Sequence, residues 1–175
     1  MRTDGTTSYV ALLRAVNLGP HNQVPKDALR QIGEELGFLR SRTYIASGNL
    51  LFDTAEDERA VKAALVARLT AYAGKPIQVI VRTGSEMRAI RDANPFADAP
   101  GNRVLVSLLD EPPPTDALAH ARHVQGEQMA LGIREIYVRY TDDGMGTSKL
   151  AIPAARSGTS RNMNTVIKLT DMLND

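Results

Sequence analysis

The residue types best suited to chemistry stand near the end of the chain, in Gly158-Thr159-Ser160-Arg161-Asn162-Met163-Asn164-Thr165-Val166-Ile167-Lys168. The stretch reads as a polar loop running into a helix. Val166, Leu169, Met172 and Leu173 share a face at helical spacing, and Asn162 or Asn164 is placed to cap the first turn. Arg161 would then stand at the helix mouth, where unpaired N–H groups and a partial positive charge favour anions. A capped helix with a surface Arg is the plainer reading of the same residues.

Two further stretches share this character. No carboxylate occurs in Gly5 to Lys26, Leu36 to Phe52 or Gly144 to Thr170. Basic residues occur in each: Arg14, His21 and Lys26, then Arg40 and Arg42, then Lys149, Arg156, Arg161 and Lys168. Each also holds a loop rich in Gly, Ser and Asn. If these loops met, they would form a positive concavity in a nearly neutral chain, suited to phosphate or carboxylate. Arg14 and Arg161 would supply planar, charge-assisted hydrogen bonds. Asn17, Ser47, Asn49, Asn162 and Asn164 would orient the ligand, and Lys149 and Lys168 would add charge. Against this, strands and turns disfavour Glu, so acid-free stretches are ordinary there.

Other motifs point to less. Ser47-Gly48-Asn49 lacks the flanking glycines of a nucleophile elbow, and no spacing brings a His to Ser47. In Gly144-Met145-Gly146-Thr147-Ser148-Lys149 the Lys follows Ser instead of preceding it, which excludes a Walker-type phosphate loop. Asp116, His120, His123 and Glu127 are spaced for one helical face and could ligate a metal, but Gly126 would end such a helix, so no metal is assigned.

The elements that must position these residues follow from periodicity. Tyr9 to Leu13 is an apolar run suited to a buried central strand. Pro25 opens a helix with Leu29, Ile32 and Leu36 on one face, ended by Gly37. Thr43 to Ile45 and Leu50 to Phe52 read as a hairpin about Ser47-Gly48-Asn49. Thr54 would cap a helix carrying Val61, Leu65, Leu69 and Tyr72, and Ile77 to Val81 is a fourth strand. Thr83 and Glu86 form a capping box for a linking helix. The second half predicts a strand at Val104 to Leu109, a helix from about Thr115 to Gln125, a hairpin of Gln128 to Leu131 with Glu135 to Tyr140, and the final helix. The expected fold is α+β: two ferredoxin-like (βαββαβ-type) halves with antiparallel sheets and helices on one face. The first spans residues 1–82, a linking helix and boundary 83–102, and the second 103–175.

Composition bounds the function. With 43% hydrophobic residues, 23% charged residues and a net charge of +1, the chain is a globular protein without global attraction to polyanions. It has no Cys, which excludes disulfides and thiolate chemistry and suits a reducing compartment, so cytoplasm is expected. The N-terminal apolar run is too short for a signal peptide or membrane span. The absence of Trp, with only three Phe, argues against base stacking on the sheet. No cofactor, oligomeric state or reaction is assigned.

Leu12-Leu13-Arg14-Ala15-Val16-Asn17-Leu18-Gly19, Thr43-Tyr44-Ile45-Ala46-Ser47-Gly48-Asn49 and Ser160-Arg161-Asn162-Met163-Asn164-Thr165-Val166 together resemble the marks of a bacterial family, domain-of-unknown-function family 1697. Asn94-Pro95-Phe96, Ile136-Tyr137 and Ser148-Lys149-Leu150 extend the resemblance over nearly the whole chain. It implies an α+β fold of two small halves and assigns no catalytic role to any residue. The family pattern has Gly where Ala15 stands, Met where Lys26 stands and Trp where Met163 stands. Ring stacking is therefore not expected at position 163. The leading expectation is binding of a small anionic, phosphate-bearing ligand at the basic loops. The alternatives are a nucleic-acid-binding module using the same loops, and a protein-interaction domain without a ligand.

Overall fold

Tyr9 to Leu13 lie in β1 (Thr7–Leu13), which pairs antiparallel with β3 (Asn49–Thr54) on one side and β4 (Val79–Thr83) on the other. β2 (Leu39–Thr43) adds to β3, giving the order β2-β3-β1-β4. The computed structural model describes residues 5–174 and divides into two units, one of residues 5–87 with 169–174, the other of residues 88–168.

In the first unit, α1 (Lys26–Glu35) and α2 (Glu58–Ala73) are the two crossover helices. Alternate residues of the sheet, Tyr9, Ala11, Leu13, Leu50, Phe52, Val79 and Val81, share one core with Leu29, Ile32, Val61, Leu65 and Leu69 of the helices. Each fully buried aliphatic side chain contributes roughly 1.5–3 kcal/mol. Phe52 stacks between Phe38, at 4.2 Å, and Tyr9, at 5.8 Å. Val10, Leu12, Leu51 and Ile80, on the opposite face, are also fully buried.

Three local expectations shift. Asp57, not Thr54, caps α2, accepting a 2.8 Å hydrogen bond from the Ala60 N–H. Thr54 instead ends β3, because pairing with Thr7 extends the strand to it. The hairpin strand lies at Leu39–Thr43 rather than 43–45, with a register shift between Leu39 and Arg42 and a positive φ at Arg40. β4 begins two residues later than its apolar run, since its ladder partners on β1 are Tyr9 to Leu13. The Thr83–Glu86 capping box forms as expected at α3 (Gly84–Asp92), with reciprocal bonds of 2.8 and 3.1 Å.

The second unit repeats the order. β5 (Val104–Leu108) lies between β7 (Glu135–Arg139) and β8 (Thr159–Asn162), with β6 (Gln128–Leu131) outside β7. The protein is thus α+β with two similar halves of four antiparallel strands. The helix expected from about Thr115 to Gln125 is absent: only a 3-10 turn, Ala117–His120, forms. Arg122 then bridges to Ala151, and His123 takes a positive φ of 58°, which no helix accommodates. The return connection holds 3-10 turns at Met145–Thr147 and Pro153–Ser157. Gly158 to Asn162 is not a loop but carries β8, which leads directly into α4 (Met163–Asn174). No helix among the described residues is long and apolar enough to cross a membrane.

The loop before β6 is tied by one carboxylate. Glu127 accepts from Ser148 Oγ at 2.6 Å and from the Gln125 N–H at 2.5 Å, and these bonds lower its pKa below the ordinary 4.5. A carboxylate held low in this way supports the fold above its ordinary pKa and loses that support as pH falls through the lowered value. Ser148→Ala should raise the Glu127 pKa toward 4.5, as read by carboxyl-resolved NMR titration; an unchanged value would refute the tie. Gly48 has φ of +85°, and an added Cβ would meet Val16 Cγ2 at 2.6 Å and Leu13 Cβ at 2.9 Å. Gly48→Ala should therefore destabilise the protein by about 2–5 kcal/mol in denaturant unfolding, from left-handed strain plus overpacking.

Candidate functional site

Where β1 ends, three loops of the first unit come together. Leu13 donates its N–H to the Gly48 carbonyl (2.8 Å), and Arg14 donates its own to the Gln78 carbonyl (3.0 Å). Residues 14–25, 44–48 and 74–78 therefore share one end of the sheet. Together with Lys26 they carry Arg14, His21, Lys26 and Lys75 and no carboxylate; the nearest acid in sequence, Asp27, lies in the first turn of α1. Two of the acid-free stretches thus meet, and residues 74–78, which open with the helix-ending Gly74 and also carry no carboxylate, join them.

The loop after β1 is sharply bent. Ala15, Asn17 and Asn22 all have positive φ, near 55–59°, a conformation that costs an Ala roughly 1–2 kcal/mol. Asn17 holds it in place. Its Nδ2 donates to the Val24 and Ala46 carbonyls (2.9 and 2.6 Å), and its Oδ1 accepts from the Val24 N–H (2.7 Å). Asn49 is fully buried and donates to the Tyr44 carbonyl (2.9 Å) and to Ser47 Oγ (3.1 Å). These residues, expected to face a ligand, brace the loops instead.

Arg14 is exposed, with Nη1 donating to Gln78 Oε1 at 3.2 Å. In the same loop, Asn22 donates Nδ2 to the Ala15 carbonyl (3.4 Å), while Asn22 Oδ1 is buried and has no partner among the described residues. Asn22 and Gln78 carry no signal in the sequence, because neither a turn Asn nor a strand-flanking Gln stands out until the chain is folded. Leu18, at the loop tip, is 82% exposed.

The remaining candidates belong to the second unit. Arg161 lies in β8 opposite Val106 and is only 7% exposed. Its Nη1 donates to Thr159 Oγ1 (3.0 Å) and to the Ser160 carbonyl (2.9 Å). Burial lowers its pKa to about 10, which leaves it charged at neutral pH. Asn162 is the cap of α4, accepting from the Thr165 N–H at 2.9 Å. Asn164 sits against Gly101, where a Cβ would collide with its amide. Met163 is buried, and Lys149 and Lys168 are exposed. The metal-spaced set does not assemble: Asp116 and His120 pair at 3.1 Å, while Glu127 is engaged with Ser148. Among the described residues no group of three or more His, Cys, Asp or Glu is placed to hold a metal.

Comparison with known proteins agrees with this architecture. The conserved bacterial protein SP0830 from Streptococcus pneumoniae has the same fold, with a TM-score of 0.78 over 96% of this chain and 99% of that one, at 19% identity. No curated protein matches the sequence. A family model described as "Protein of unknown function (DUF1697)" matches residues 6–137. That span is well over half of the chain, and the protein belongs to this family.

Proposed function

We propose that this is a cytoplasmic protein whose first unit binds a small, phosphate-bearing ligand at the loops where β1 ends. The single observation that carries this reading is that one braced, carboxylate-free loop holds both exposed Arg14 and the unsatisfied acceptor Asn22 Oδ1. A guanidinium offers two parallel donors to a phosphate. A buried acceptor without a donor is a debt most folded proteins do not carry. A ligand N–H or O–H would satisfy it. The combination fits a sugar phosphate or nucleotide better than inorganic phosphate alone. The positive φ values at Ala15, Asn17 and Asn22 support the same reading, since backbone strain of this kind concentrates at ligand sites. Lys26 and Lys75 add charge, and Ser47 lies in the adjoining loop.

Lys149, Arg161, Asn162, Asn164 and Lys168 all belong to the second unit, and this site is built without them. A nucleic-acid module would use the same cations, but Arg14 and Lys75 on short loops with Lys26 at the start of α1 suit one phosphate better than a tracked backbone.

The test is a thermal-shift and calorimetric titration with ribose 5-phosphate, nucleoside monophosphates, inorganic phosphate and a short RNA at two salt concentrations. Arg14→Ala should weaken the phosphate-bearing ligands roughly tenfold or more, the worth of one charge-assisted hydrogen bond. Asn22→Gly, which keeps the left-handed backbone, should weaken ribose 5-phosphate but not inorganic phosphate. RNA binding that falls steeply with salt while the small phosphates do not bind would establish the nucleic-acid reading instead. No binding by any of these would leave the loop a structural device of an interaction domain.

A further inference from the structure

The second unit departs from the first where its crossover helices should be. In place of α1 and α2 it has short 3-10 turns, including Ala117–His120 and Pro153–Ser157. A helix would fill the space over the sheet, whereas single turns leave it concave. The result is a groove of about 480 Å³, with the pyrrolidine rings of Pro114 and Pro153 and nearly buried Ala117 among its lining residues.

Its polar groups have unequal partners. Asp116 Oδ2 lies 3.1 Å from His120 Nε2, both side chains about two thirds exposed at the rim. Arg122, which also lines the groove, has its backbone fixed by two hydrogen bonds with Ala151, of 2.8 and 3.0 Å. Its guanidinium makes no hydrogen bond or ion pair among the described residues. A cation on a pinned backbone beside apolar walls matches, in its chemistry, a molecule with an anionic end and an apolar body.

We propose that this groove binds a small organic monoanion, with an aromatic carboxylate as the fitting class. The Arg122 fork matches a carboxylate in two parallel hydrogen bonds. The proline rings present flat apolar faces to an aryl body, and the volume falls in the range of small-ligand sites. Asp116 sets the charge: it repels a second negative group, so monocarboxylates are favoured over dicarboxylates and phosphates. The site uses none of the residues of the phosphate site proposed above and stands or falls separately from it.

Amide-resolved NMR titration of the full chain with benzoate, benzamide and phthalate tests this, on wild type, Arg122→Ala and Asp116→Asn. Both substitutions replace exposed side chains, and equal thermal midpoints check that the fold is kept. At roughly 10 mM, benzoate should approach saturation and shift the amides of Ala117, His120 and Arg122, as expected for a Kd near 1 mM. Benzamide and phthalate should each bind at least tenfold more weakly, and Arg122→Ala should weaken benzoate at least tenfold. Asp116→Asn should bring phthalate close to benzoate. The proposal is overturned if benzoate does not saturate, if it binds wild type and Arg122→Ala equally, or if benzamide binds as well as benzoate. Phthalate binding wild type as tightly as benzoate would overturn the charge selection.

Discussion

Everything in each unit depends on a central strand with a hydrogen-bonded neighbour on both sides. β1 is locked between β3 and β4, and Val10 to Leu13 have no exposure on either face. These four residues of β1 carry no charge and present no group to a ligand, so chemistry at this end of the sheet begins only where the strand stops. It stops at Leu13. Arg14, the next residue, is exposed, and the loop it opens is confined at its start by the backbone bonds of Leu13 to Gly48 and of Arg14 to Gln78. Left-handed Ala15 and the brace of Asn17 shape the loop from there.

The same confinement decides which polar residues remain available. A tight loop with buried backbone groups must satisfy them internally, and side-chain amides are the natural partners. Asn17 and Asn49 are used in this way, as is Asn162 at the start of α4. At the first unit's loop end, Arg14 is exposed with one hydrogen bond to Gln78, and the Asn22 amide oxygen is unsatisfied. A candidate site here consists of the groups that the loop does not need for itself.

The two halves share strand order but not filling. In the first, α1 and α2 complete the core, and the aromatic stack of Phe38, Phe52 and Tyr9 sits within it. In the second, Leu109, Ile136, Val138 and Ile152 are packed by irregular segments, with Leu118, Ala121, Leu150 and Ala154 partly buried around them. A core covered by turns leaves concavities that a helix would close. That asymmetry, not the repeat, creates the groove.

Sequence alone determined the strand and helix order of the first half, because long apolar periodicities, Pro25, Gly37, Gly74 and the Thr83–Glu86 capping box are local signals. It also determined that β1 is central and that Asn162 could cap α4. It did not determine the helix of residues 115–125, where an amphipathic reading yielded to the bridge between Arg122 and Ala151, a contact 29 residues apart in sequence. Nor did it reveal β8, since Thr-Ser-Arg-Asn has no apolar alternation; pairing with β5, and the Ser107–Ser160 hydroxyl contact at 2.8 Å, makes it a strand. At the site the sequence supplied the composition: basic, acid-free and rich in Asn. Tertiary structure decided which of those residues are free to act, because a side chain's availability depends on the backbone groups folded against it, and those come from distant parts of the chain.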